Sequence, residues 1–183
     1  MFESVIQSIT SYASLSEKEI ECFVEQMTPR QLDKGDLLLQ TGEVCMSWAF
    51  LTKGSFREYY LDEDLNEVTT NLFTINSWVI NNSSFTGQIP SKCKIEAFEE
   101  SEILVIGIHD LHHLISESPA FFALGKILEV DSKKPKSSAT PQEKYLQLLD
   151  QNSAIIQKFP LKYIASYLGM TPETLSRVRR KIK

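Results

Sequence analysis

Residues 161–182 read LKYIASYLGMTPETLSRVRRKI, and this stretch decides the fold. Leu161, Ile164, Ala165 and Leu168 recur on one face of a helix, and Ala165 is small, which suits a close helix crossing. Gly169 then stands where a sharp turn asks for positive φ. Thr171 is placed to cap a second helix, Pro172 fits its first turn, and Glu173 complements its positive dipole end. Leu175, Val178 and Ile182 form the inward stripe of that helix. Small residue, glycine, cap and stripe together predict a helix-turn-helix.

The side opposite that stripe carries Glu173, Arg177 and Arg180, flanked by Thr174, Ser176 and Lys181. With the capping Thr171, these are the candidate contacts to double-stranded DNA. Arginine reads guanine through two hydrogen bonds, a carboxylate accepts from cytosine, and hydroxyls and lysine reach phosphates. Charge distribution points the same way. The chain carries −5 overall, yet from Ile156 to Lys183 seven cations face the single acid Glu173. That end is +6, which leaves −11 on residues 1–155. A basic end on an acidic body is the pattern of a nucleic-acid reader attached to a domain with another task. The plain alternative is an amphipathic helical hairpin with a solvated charged face.

Working outward, the 183 residues suffice for one large domain or two smaller ones, and 42 % hydrophobic with 23 % charged is ordinary globular usage. The N-terminus carries Glu3 where a signal peptide would carry cations, and no apolar run approaches the roughly 18 residues of a membrane helix. A soluble, cytoplasmic protein with no membrane partner is expected. Cys22, Cys45 and Cys93 form no CxxC pair and are expected as reduced fillers of apolar space.

Apolar spacing predicts helices over 2–12 and 16–26, the second opened by the Ser16–Glu19 capping box. From about 28 to 106 the period shortens. Runs such as DLLLQ, SWAFL, SFREYYL, EVTTNLF, KIEAF and ILVI alternate with turns at Gly35, Gly42, Gly54 and Asp62–Asp64, the pattern of an antiparallel roll or barrel. Helical signals return at Ser118–Pro119, predicting an α-helix to about Val130. Lys133–Ala139 reads as a flexible linker, and Thr140-Pro141-Gln142-Glu143 opens another helix with a capping box.

This order of β-roll, connecting helix and terminal helix-turn-helix resembles the cyclic-AMP receptor protein/FNR (Crp/Fnr) family of bacterial regulators over nearly the whole chain. The segments KGDLLLQTGE, FLTKGSFREYY, IEAFEESEILVI and PLKYIASYLGMTPETLSRVRRKI carry the likeness. The resemblance implies an α+β fold. Its N-terminal part would be a double-stranded β-helix, a jelly-roll-like β-roll, with flanking helices over 1–118. A connecting and dimerisation helix and linker would follow over 119–140, and a winged-helix-type helix-turn-helix over 141–183. It also implies a DNA-binding transcription regulator, with RNA polymerase as a further candidate partner. The family's recognition helix uses an Arg-Glu-Thr-x-x-Arg arrangement. Here Glu173, Thr174 and Arg177 match, but Pro172 replaces the first arginine, so one contact is missing.

In cyclic-nucleotide-binding members a Gly-Glu pair contacts the ribose and a later Arg-Ser/Thr pair neutralises the phosphate. Ile80-Asn81 and Ser91-Lys92 stand at those places. Losing the arginine removes a charge-assisted phosphate contact, so cyclic AMP is not expected as effector. The candidate effector pocket is Asn81, Asn82, Ser83, Ser84, Ser91 and Lys92, for a neutral polar ligand or for none. His109 and His113 lie four residues apart, yet no other ligand accompanies them, so no metal, cofactor or catalytic residue is assigned. The alternative function is a sensor module, for a small molecule or cyclic nucleotide, acting through protein contacts. Phe121, Leu124, Ile127 and Leu128 cover half of the connecting helix, which predicts a homodimer through that stripe. The linker predicts that the two reading heads of the dimer are loosely oriented, with weak effector coupling.

Overall fold

The structure is a computed structural model that describes residues 2–133 and 138–182. Two helices open it, α1 (Glu3–Tyr12) and α2 (Glu17–Glu25), the latter capped by the expected box, in which Glu19 N–H donates to Ser16 Oγ and Ser16 N–H to Glu19 Oε2. Eight strands follow: β1 (Thr28–Leu32), β2 (Leu37–Leu39), β3 (Ser47–Lys53), β4 (Phe56–Leu61), β5 (Glu67–Phe73), β6 (Trp78–Val79), β7 (Lys94–Ala97) and β8 (Ser101–Gly107). They form two four-stranded sheets with orders β1-β8-β3-β6 and β2-β7-β4-β5, every pairing antiparallel. Phe50, Leu51, Phe56, Ile95, Ile103, Leu104 and Ile106 are fully buried in the core of this roll. Phe23 of α2 and Val5 and Ile9 of α1 join the same core.

Helix α3 (Asn82–Gly87) interrupts the strands and α4 (Ile108–Glu117) follows β8. The next element departs from expectation. Pro119–Lys133 is a 3-10 helix, not an α-helix. Its buried residues Phe121, Leu124 and Ile127 recur every third position, which is the period of a 3-10 turn. They are 3 %, 2 % and 2 % exposed and belong to the chain's own roll core, with Leu128 packed beside them. The stripe read as a dimer surface is therefore already covered from within. That part of the dimer expectation is corrected, and Phe122 of this segment is exposed. The linker reading of Lys133–Ala139 falls largely on residues 134–137, which lie outside the described residues.

The C-terminal part comprises α5 (Pro141–Lys158), α6 (Leu161–Tyr167) and α7 (Pro172–Ile182). Thr140 and Glu143 form the expected capping box, and Asn152 (φ −157, ψ 76) breaks α5 into two pieces. A second core of Tyr145, Leu148, Ile155, Phe159, Ile164, Ala165, Leu168, Leu175 and Val178 holds the three helices together. Among the described residues no strand lies beyond Gly107, so the expected wing is not seen.

One turn of the roll is fixed by sterics. Gly54 has φ +96, and a Cβ there would collide with Ser101 Oγ and come within 2.7 Å of the Glu100 carbonyl oxygen. Gly42 has φ +90 with nothing within 4 Å of a Cβ. Gly42→Ala should therefore lose only the cost of a left-handed backbone, about 1–2 kcal/mol in urea unfolding. Gly54→Ala should lose clearly more, because its neighbour across the turn is backbone. Equal losses would mean that the Glu100–Ser101 contact is not what holds this turn.

Candidate sensor pocket and helix-borne interface

The candidate effector residues separate into two groups. Asn81 is 6 % exposed and caps α3, its Oδ1 accepting from Ser84 N–H at 2.9 Å and from Ser83 Oγ at 3.0 Å. Its Nδ2 donates to Glu58 Oε1 at 2.7 Å. Ser84 Oγ accepts from Cys45 N–H at 2.9 Å and donates to the Ile89 carbonyl at 2.6 Å. Asn82 Nδ2 donates to the Leu128 carbonyl, which ties α3 to the 3-10 helix. Ser91 bonds locally to Cys93, and Lys92 is exposed. Asn81, Ser83 and Ser84 thus come together as a cap, while Ser91 and Lys92 serve a separate turn.

Sequence reading missed the residue this cluster depends on. Glu58 of β4 is 5 % exposed and also accepts from Thr70 Oγ1 at 2.7 Å. Period-two alternation was the available signal, since Phe56 and Glu58 share one face of β4 and Arg57 lies on the other. Burial pushes the Cys45 thiol above its ordinary range, and the nearby Glu58 adds to the rise. A phosphate placed at Asn81 would meet a carboxyl group instead of a guanidinium.

The α6–α7 pair is built as its sequence implied. Gly169 has φ +66, Met170 N–H donates to the Ala165 carbonyl, and Lys144 Nζ donates to the Leu168 carbonyl. Thr171 Oγ1 accepts from Thr174 N–H at 3.2 Å, capping α7. Ala165 and Leu175 are fully buried where the helices meet. Thr171, Glu173, Arg177, Arg180 and Lys181 are exposed, and Thr174 and Ser176 are half-buried. The seven candidate DNA contacts thus sit on one short helix and its cap.

The other face of this unit lies against the roll, which sequence reading did not foresee. Arg57 of β4 is 5 % exposed and stands between two tyrosine rings, 4.3 Å from the centroid of Tyr59 and 3.9 Å from that of Tyr163 on α6. Its Nη1 donates to Glu67 at 2.7 Å and its Nε to Thr69 Oγ1 at 3.0 Å. Thr69 N–H on β5 donates to Ser166 Oγ of α6 at 2.9 Å. Phe98 packs on Phe159 and Tyr163, Lys158 pairs with Glu99 at 2.6 Å, and Asn152 Nδ2 donates to Thr74 Oγ1 at 3.1 Å. Burial and the Glu96 partner raise the Tyr59 phenol to about 12, so it stays protonated and donates to Glu96 Oε2 at 2.7 Å. Through this seam α6 rests against the roll of its own chain.

Residues 29–118 match the cyclic nucleotide-binding domain family. No curated protein sequence matches the chain. Among solved structures, FixK2 from Bradyrhizobium japonicum is similar at 15 % identity, with 85 % of this chain and 84 % of that chain covered and a TM-score of 0.68. A CooA mutant from Carboxydothermus hydrogenoformans is similar at 16 % identity, covering 97 % and 83 %, with a TM-score of 0.64. The Thermus thermophilus catabolite activator protein gives 17 %, 92 % and 84 %, and 0.57. At these identities the likeness establishes a shared fold, a cyclic-nucleotide-binding β-roll with flanking helices. Among the described residues no helix is long and apolar enough to cross a membrane, and no group of three metal-ligating side chains assembles.

Proposed function

We propose that this chain is a sequence-specific, DNA-binding transcription regulator of the Crp/Fnr type and not an enzyme. The observation that carries this reading is the exposed face of α7. Glu173, Arg177, Arg180 and Lys181 point away from the buried Leu175 and Val178, while the neighbouring α6 is occupied by the roll. A helix with one face anchored and a basic, hydroxyl-bearing face left free is suited to entering a major groove. The family match of the roll and the fold shared with regulators support it.

Arg177 is assigned to a base edge and Lys181 to phosphate. Thr171, Glu173, Thr174, Ser176 and Arg180 complete the contact set. Two-fold operators call for two reading heads about 34 Å apart, so a homodimer belongs to the proposal. Its surface is something other than the Phe121–Leu124–Ile127 stripe. RNA polymerase is a further proposed partner.

The sensor reading is that the roll does not take cyclic AMP. Asn81 serves as a helix cap bonded to Glu58, and no arginine stands at Ser91. A cyclic phosphate would lose hydration without gaining a charged donor. The second reading, a ligand-binding module that acts through protein contacts alone, leaves the basic face of α7 without a task.

Two measurements test these statements. Arg177→Ala should cost about 1–3 kcal/mol on a selected operator and relax preference at one base pair, while Lys181→Ala should weaken binding to all sequences alike. Unchanged affinity and preference in Arg177→Ala would rule out this docking of α7. Calorimetry with cyclic AMP and cyclic GMP should give no saturable heat at micromolar concentration, and a micromolar dissociation constant for either would contradict the reading of the roll.

A further inference from the structure

A cavity of about 330 Å3 opens beside the seam between the roll and α6. Three cations line it, Lys34 from the β1–β2 turn, Arg57 from β4 and Lys162 from α6, together with Glu96 and the rings of Phe98 and Tyr163. Lys34 Nζ lies 6.0 Å from the Phe98 centroid and Lys162 Nζ 4.6 Å from that of Tyr163. Among the described residues neither lysine forms an ion pair. The one carboxyl group in the lining, Glu96, already accepts the Tyr59 hydroxyl.

A second observation is independent of that charge count. The Arg57 side chain is more than nine-tenths buried, and two of its nitrogens are engaged, Nη1 by Glu67 and Nε by Thr69. Its Nη2 is buried and has no hydrogen-bond partner. A guanidinium donor left so is costly, because burial removes its water and no acceptor replaces it, while the Tyr59 and Tyr163 rings offset only the charge. Such a group, beside two unpaired ammonium groups, is a recognition element for an anion.

We propose that this cavity binds a phosphate-sized dianion that bridges the roll and the C-terminal helices. Arg57 contributes its open Nη2 donor and a fixed positive charge, whereas the lysines act as point charges from the β1–β2 turn and α6. The size lies at the low end of ligand sites, enough for phosphate with a small organic group but not for a dinucleotide. Glu67 offsets part of the Arg57 charge, so the lysines carry the excess that attracts the dianion. Lys34 and Lys162 sit on different units. An anion that contacts both binds only when α6 is docked, and by mass action it stabilises that arrangement. The site is distinct from the roll interior, where the polar groups around Asn81 satisfy one another.

The test is calorimetric titration of the full chain with inorganic phosphate above neutral pH, against chloride at matched ionic strength. Saturable phosphate binding is expected, weakened about two- to fivefold in Lys34→Gln and in Lys162→Gln, both at exposed positions. Arg57→Lys keeps the charge but loses the Nη2 donor and should weaken it about tenfold. Since that substitution can also loosen the seam, the two lysine variants carry the decision. No binding above the chloride control, or binding unchanged in both lysine variants, overturns the proposal. A loss of DNA affinity in Lys34→Gln in phosphate-free buffer overturns it too, because the cavity would then belong to the DNA backbone. Failure of phosphate to bind leaves the DNA-reading proposal standing, since Arg177→Ala tests that separately.

Discussion

The Arg57 guanidinium stands between the rings of Tyr59 and Tyr163, one on its own strand and one on α6. Cation–π contacts are worth up to about 2 kcal/mol each when desolvated, and this group is buried. The Glu67 partner is nearly half exposed and adds less. Around this contact the seam closes in order. β5 is an edge strand of its sheet, and an edge strand presents amides with no strand to accept them. One of these, Thr69 N–H, is taken by Ser166 of α6. The helix therefore covers an edge as well as an apolar face, and Leu72 of the roll belongs to the core of the C-terminal helices.

That arrangement gives the two helices of the pair opposite duties. α6 turns Tyr163 and Ser166 to the roll, while α7 meets α5 and α6 through Leu175 and Val178 and leaves its charged residues outside. α7 is then held in one orientation on the roll through its packing on α6. The 3-10 segment Pro119–Lys133 contributes to the roll by burying Phe121, Leu124 and Ile127. Lateral contact through Tyr163 and Ser166 holds the C-terminal helices against the roll.

Local rules made much of this legible. Caps at Ser16, Thr140 and Thr171, the positive φ of Gly169 and the Leu175–Val178 stripe all depend on residues a few positions apart, and each was readable in the sequence. Strand β1 was not, since TPRQL is exposed along most of its length and shows no alternation. The 3-10 helix escaped because Phe121, Leu124, Ile127 and Leu128 fit periods of 3.0 and 3.6 almost equally. Asn81 and Ser84 were read as ligand groups. In the fold they form a helix cap tied to Glu58, a partner distant in sequence. The seam itself was invisible because Arg57 and Tyr163 meet only once the chain is folded.

Native-state hydrogen exchange on the full chain, with and without Tyr163→Ala, tests the docking of α6 most directly. The expected result is that the Thr69 amide and the α6 amides open together, and that Tyr163→Ala speeds both while β3 and β8 keep their protection. Contradiction would come from α6 amides that open independently of Thr69, or from a Thr69 amide whose protection survives the loss of the Tyr163 ring.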